Sequence, residues 1–231
     1  MAVTTLSAAL VANPAQAISL TPAQHVRFNS YVQTESKAFT NIELRQAKPT
    51  SLRLRNNVDP LEIYFINEGA GYRNQLLFSV NDGPLQMIFS DVSSPDSILK
   101  NANGPLRLGE GRSLGAFVAG TTIDFFINSN GYSRGETATT ATQILGANAE
   151  ENSDRQQHMV AYFVDEWVLF GFEDIVGGGD LDYNDVVFVA RGLTGEAVVT
   201  PEPGILLGLL GLSGWGLWNW CQRRRYVSTP I

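Results

Sequence analysis

Between Glu173 and Asp185 the chain places five carboxylates (Glu173, Asp174, Asp180, Asp182, Asp185) and one amide, Asn184, within 13 residues. All six are hard oxygen donors. No Lys or Arg occurs between Arg155 and Arg191, an interval that holds seven acids. Like charges at this density repel by several kcal/mol at an effective dielectric of ~20 and separations of ~4 Å. The loop therefore calls for a cation. Ca2+ fits, because it takes about 6–8 oxygen ligands from carboxylates, amides and backbone carbonyls, whereas Mg2+ prefers few protein ligands and several waters. Asp180, Asp182 and Asn184 recur with period two and can converge from one side. Glu173, Asp174 and Asp185 can close the shell from the strand ends. Gly177, Gly178 and Gly179 supply backbone angles closed to other residues, so the loop can fold back on itself. The spacing is not that of an EF-hand: the sixth position from Asp180 is Asp185 rather than Gly, and the twelfth is Arg191 rather than Glu.

Other chemistry is thin. Cys221 is the only cysteine and there are two His, which excludes an intrachain disulfide and a Cys-based zinc site. A bound metal is another way to staple such a fold. Glu173 and Asp180 can be drawn as the acid and base of a glycosidase. No nucleophile motif or phosphate loop accompanies them, and the sequence predicts a non-enzyme. Tyr72, Tyr132 and Tyr183 are the candidate aromatics for a calcium-dependent carbohydrate-binding module. The net charge of −7 argues against nucleic acid, which needs clustered Lys and Arg on the body of the protein.

The elements that position the loop read as strands. Val26–Val32, Ser51–Arg55, Leu61–Ile66, Gln75–Val80, Leu85–Phe89, Thr122–Ile127, Met159–Val164, Trp167–Phe172 and Val186–Arg191 are short runs rich in β-branched and aromatic residues, bounded by Gly, Asn, Asp and Pro. Asn81-Asp82-Gly83-Pro84 is a turn signal that makes residues 75–89 a hairpin. Pro95–Lys100 predicts one short turn, and Gly135–Asp154 an exposed loop or an irregular part of the sheet. The expected fold is all-β, an antiparallel β-sandwich of jelly-roll type over residues 18–200, followed by a C-terminal apolar transmembrane helix.

The two ends read as address labels. Residues 1–17 are small and apolar and end in Ala15-Gln16-Ala17, the back half of a secretory signal peptide cleaved after Ala17. No Lys or Arg precedes Arg27, so the leader is expected to be truncated by a misplaced initiator Met. At the other end Pro201-Glu202-Pro203 leads into 17 apolar residues, Gly204–Trp220. That run is about 25 Å long as a helix, marginally enough to span a bilayer with its flanks. Trp215, Trp218 and Trp220 suit the membrane interface, and Arg223, Arg224 and Arg225 the cytoplasmic side. Gly204, Gly208, Gly211 and Gly214 can alternatively line a helix-packing face, which keeps a plain tail anchor open. Without residues 1–17 and 203–231 the body carries 13 basic against 23 acidic residues, a net charge of −10.

Two resemblances follow from these residues. Pro201-Glu202-Pro203, the apolar span and Arg223-Arg224-Arg225 resemble the PEP-CTERM sorting signal over residues 201–225, with Tyr226–Ile231 as a tail that such signals usually lack. This implies processing by an exosortase and export to the cell surface or an exopolysaccharide-rich matrix, after transient membrane anchoring. Leu169-Phe-Gly-Phe-Glu-Asp, followed by Gly-Gly-Asp180-x-Asp-Tyr-Asn-Asp-Val-Val-Phe188, resembles the closing motif of the domain-of-unknown-function family numbered 4114. His158 fits that family's upstream His, although a hard cation prefers oxygen. Ile63-Tyr-Phe-Ile-Asn-Glu-Gly-Ala-Gly-Tyr72 is similar to an earlier segment of it. This second resemblance implies a domain common in exported and adhesive proteins, without enzymatic activity. The expectation is thus a calcium-stabilised structural or adhesive module, with exopolysaccharide or a surface glycan as candidate partner.

Overall fold

Val186-Val-Phe-Val-Ala190 is apolar at every position, so a strand here must be covered on both faces. The computed structural model, which describes residues 16–32, 44–57, 59–99 and 104–198, shows how. In chain order the elements are β1 (Gln16–Ser19), α1 (Pro22–Asn29), β2 (Arg45–Ala47), a 3-10 turn (Pro49–Ser51), β3 (Arg53–Leu54), β4 (Glu62–Asn67), β5 (Asn74–Val80), β6 (Gln86–Val92), β7 (Glu110–Ser113), β8 (Ile123–Asn128), β9 (Ile144–Gly146), β10 (Met159–Val164), β11 (Trp167–Phe172), β12 (Val186–Arg191) and β13 (Leu193–Thr194). Seven strands form one sheet in the order β1-β7-β4-β12-β11-β10-β2, four form a second in the order β6-β5-β8-β9, and β13 pairs with β3. Every pairing among the described strands is antiparallel.

The main core lies between the larger and the four-stranded sheet. Phe170 of β11 and Phe188 of β12 stack at 4.6 Å, and Phe125 of β8 meets both edge-on at 5.0 and 5.2 Å. On the opposite face of the larger sheet Tyr64, Ile66, Leu169, Val187 and Val189 pack with Trp167 and with Phe28 from α1. The helix is thus the cover that the continuous apolar run of β12 requires. The molecule is mostly β with antiparallel sheets, as read from sequence.

The stretch Val26–Val32, read as a strand from its β-branched and aromatic residues, is instead the end of α1 and the residues after it. The helix start outweighs that composition. Thr21 and Gln24 form a capping box, and Pro22 stands in the first turn, where its missing N–H costs nothing. Only Phe28 of the helix is buried, and Val26 is exposed. The Ser51–Arg55 run shortens to β3 because Pro49–Ser51 forms the 3-10 turn. The Asn81-Asp82 hairpin is present: both residues have positive φ (50° and 55°), and Gly83 N donates to Val80 O at 2.9 Å. This matches the twist-compatible turn of a two-residue hairpin. The stretch Gly135–Asp154, expected to be an exposed loop or an irregular part of the sheet, contains β9, the second strand to pair with β8.

Most of the predicted leader and the whole sorting tail, with Pro201, Glu202, Pro203, the apolar span and Arg223, Arg224 and Arg225, lie outside the described residues. Gln16 and Ala17, the last two residues of that leader, begin β1 and pair with Ser113 and Arg112. Among the described residues no helix is long and apolar enough to cross a membrane.

Candidate metal centre

The acidic loop is the connection of the β11–β12 hairpin. Phe172 pairs with Val186, which sets Glu173 and Asp185 side by side at the loop's base. Asp185 N donates to Phe172 O at 3.1 Å, and Asp174 N donates to Asp185 Oδ2 at 2.8 Å. From there the chain turns through Gly177, Gly178 and Gly179, all at positive φ (98°, 93° and 45°). A Cβ on Gly179 would overlap Glu173 Oε1, so the backbone comes down directly onto that carboxylate. Leu181 and Tyr183 also adopt left-handed backbone (φ 59° and 58°), uncommon for bulky side chains and costing on the order of 1–3 kcal/mol each. Such strain persists only where the surroundings over-determine it.

The result is acids facing inward. Glu173 and Asp182 are 1% exposed and Asp174 is 2% exposed, whereas Asp185 is half-buried and Asp180 exposed. Asp182 accepts from Asn184 N at 3.0 Å and from Asn184 Nδ2 at 2.6 Å. Asn184 is buried too and presses on Gly69, where a Cβ would overlap its Oδ1; its carbonyl accepts from Gly69 N at 2.9 Å. Of the six residues expected to ligate, Glu173, Asp174, Asp180, Asp182 and Asp185 fall into groups that could share an ion: Glu173–Asp174–Asp185 and Glu173–Asp180–Asp182. Asn184 stands behind them as the partner of Asp182.

The electrostatics are unfavourable without a cation. Burial first, then the charges of Asp185 and Asp180, pushes the Glu173 carboxyl up to about 8. Burial, then the charge of Asp174, pushes Asp185 up to about 8. Burial likewise raises Asp174 to about 6, although Asn74 Nδ2 donates to its Oδ2 at 2.7 Å. Glu173 Oε2 is buried and has no hydrogen-bond partner. A buried carboxylate oxygen left in that state costs several kcal/mol unless something fills the place.

His158 is not positioned as a ligand. It is fully buried, with Nδ1 2.9 Å from Glu173 O and Nε2 2.9 Å from Asp154 Oδ2. A backbone carbonyl and a carboxylate occupy the two ring nitrogens, so neither is turned towards the loop acids as a ligand. Asp154 Oδ2 also accepts from Gly177 N at 2.6 Å. His158 and Asp154 together form a clasp from the start of β10 to the glycine turn. His158 is thus turned to Asp154 and to a backbone carbonyl rather than to the carboxylates of the five loop acids.

Sequence reasoning missed three supports. Asn74 opens β5 and holds Asp174. The β4–β5 connection brings Gly69 against Asn184. Glu68 is fully buried beside it, accepting from Ala70 N at 3.1 Å and Ser97 Oγ at 2.6 Å, and burial pushes it up to about 7. A bulge where β12 pairs with β4, between Val187 and Phe188, re-aims the backbone just before this connection. The signal available was Asn67-Glu68-Gly69 itself, polar residues straight after an apolar strand.

An open pocket of about 380 Å³ lies over the acids, lined by Gly71, Tyr72, Leu99 and Ile175 together with Glu173, Asp174, Asp180 and Asp185. Of the three candidate tyrosines only Tyr72 lines it. Tyr132 lies beneath the Arg73 guanidinium, 4.0 Å from the ring centre, and Tyr183 Oη donates to Gln157 O.

Comparison with curated proteins and with solved structures gives no match. Residues 117–192 match the model of a family described as a domain of unknown function (DUF4114). The match runs from the approach to β8 through the clasp and the acidic loop to the end of β12, whereas Glu68, Gly69 and Asn74 lie before it. Over residues 117–192, strands and acidic loop together, the chain is thus similar to the domain of unknown function DUF4114.

Proposed function

We propose that this is an exported structural or adhesive module whose β-sandwich, jelly-roll-like in its two packed sheets, is stapled by calcium at the β11–β12 loop. The observation that carries the reading is Glu173 Oε2: buried, without a hydrogen-bond partner, and set among four further carboxylates. All donors are oxygen, which favours calcium over zinc or copper. The staple would supply what disulfides supply in other exported domains. Ile175, Val176 and Leu181 stand exposed around the acids, which suits a surface that makes contacts. Export rests on the leader and on the Pro-Glu-Pro, apolar span and Arg order, which make the chain an exosortase substrate with a transmembrane helix that is later removed. The role is binding and structure rather than catalysis.

Calorimetric titration of the metal-stripped chain with CaCl2 tests the staple. The wild type is expected to bind, and Asp182→Ala combined with Asp185→Ala to abolish binding. Equal heats from both proteins would sink the idea. A second reading has one observation in its favour: Tyr72 is 43% exposed and lines the pocket over the acids. A ring beside a calcium ion can stack on a sugar while the ion takes its hydroxyls, which would make the domain a calcium-dependent glycan binder. A glycan array probed with and without calcium is then expected to give signal only with calcium and intact Tyr72. Signal that survives both calcium removal and Tyr72→Ala would exclude this mode.

A further inference from the structure

The five carboxylates do not form one ring. Among the described residues they meet in two trios, Glu173–Asp174–Asp185 and Glu173–Asp180–Asp182, and the three ligand oxygens of each trio lie within 4.8 Å of one another. Oxygens held about 2.4 Å from a common Ca2+ lie at most about 4.8 Å apart. Each trio therefore has the dimensions of one face of a calcium shell, and Glu173 belongs to both. Its Oε2 is buried and takes no hydrogen bond, while its Oε1 lies under the Gly179 backbone. A carboxylate with both oxygens enclosed and one unsatisfied is suited to bind through each oxygen to a different ion.

Charge points the same way. Five ionised acids carry −5. One divalent cation leaves −3, still a strong local repulsion in a buried loop, and two leave −1. His158 lies against Asp154 at 2.9 Å rather than against the loop carboxylates.

Resting on the calcium-staple reading, we infer that the loop holds two divalent cations bridged by the Glu173 carboxylate, an inner one between Asp174 and Asp185 and an outer one between Asp180 and Asp182. The inner ion is the tighter. Asp174 is almost wholly buried, and its second anchor, Asn74, is fixed in β5. The outer ion is the exchangeable one. Asp180 is exposed and lines the open pocket with Tyr72 and Ile175, so water completes that shell and a partner's oxygens can replace it.

The test is stoichiometry. The full chain, in mild detergent and stripped with chelator, is titrated with CaCl2 and the bound ions are counted by native mass spectrometry. Two calcium ions in successive steps are expected for the wild type. Asp180→Asn, a change at an exposed side chain, is expected to remove the weaker step and retain the tighter one. Asp185→Asn is expected to remove the tighter step. A single ion on the wild type, weakened alike by Asp180→Asn and Asp185→Asn, overturns the bridged pair and leaves the single staple standing. No bound calcium at all overturns both. Should Asp185→Asn fail to fold, Asp180→Asn decides alone: one remaining step supports the pair, and none overturns it.

Discussion

In saturating calcium the protein is expected to melt about 8–16 °C above its midpoint in chelator, taking the ~4 kcal/mol that a ligand at about 1,000 times its dissociation constant contributes and the ~2–4 °C per kcal/mol of a domain this size. The unfolded chain holds its acids far apart and binds weakly, so nearly all of the binding free energy appears as folding free energy. The sharper signature is Glu173→Gln. In calcium this variant loses a central ligand and is expected to melt well below the wild type. In chelator, at a pH above the value of about 8 to which burial raises Glu173, it removes one buried charge from among four others and supplies an N–H donor to the enclosed site. There it is expected to match or exceed the wild type, because an uncompensated buried charge is worse than a neutral group of the same shape. The order of the two melting points should therefore reverse with calcium. Scanning calorimetry of both proteins in both conditions checks this. Melting curves indifferent to calcium and chelator, or a variant less stable in both conditions by the same amount, would remove the loop from its role as a staple.

How much of this was legible depended on whether a signal was local. Strands β11 and β12 were read to the residue, because each is an unbroken apolar run ended by acids or by a charged turn. The loop acids were legible for a similar reason: nothing nearby in sequence could neutralise them. Val26–Val32 was misread because a capping box and a proline lie just before it, and these local signals outrank a few β-branched and aromatic residues. The short strands β1, β2, β7, β9 and β13, each of two to four residues, carry too few side chains to show a period. β2, β7 and β9 form on the edge of a longer neighbour, β1 adds to β7, and β13 pairs with the equally short β3. The division of the acids into two trios was not legible at all. It depends on left-handed backbone at Leu181 and Tyr183, on Gly179 lying over Glu173, and on Asn74 and Gly69 arriving from another part of the chain. The clasp between His158 and Asp154 was hidden in the same way. His158 was legible as the family's upstream His and as a poor ligand for a hard cation, but its partner Asp154 ends a stretch expected to be an exposed loop or an irregular part of the sheet.

The gain in stability from calcium is expected to grow as pH rises from about 5 to about 8.5. Without calcium, Glu173 and Asp185 are held up to about 8 by burial and by neighbouring carboxylates, well above the range of an exposed acid. Between the unfolded and folded values the native state binds more protons than the unfolded chain, so stability falls as pH rises through this window. The slope is about 1.4 kcal/mol per pH unit for each proton retained, or roughly 3–6 °C per pH unit per proton. With calcium bound, the same groups are ionised throughout and their folded values lie below the unfolded ones. Their contribution is then present at neutral pH and lost only as protons displace the metal at low pH. Glu68, raised to about 7 by burial, is not among the ligands and adds a falling slope of its own to both forms. The difference between the two melting curves therefore reports chiefly the loop. Thermal scans at matched ionic strength across this pH range, with chelator and with excess calcium, are expected to diverge steadily towards alkaline pH. Parallel curves would mean that the carboxylates of the loop give up their protons without cost, and that no cation is needed to hold them together.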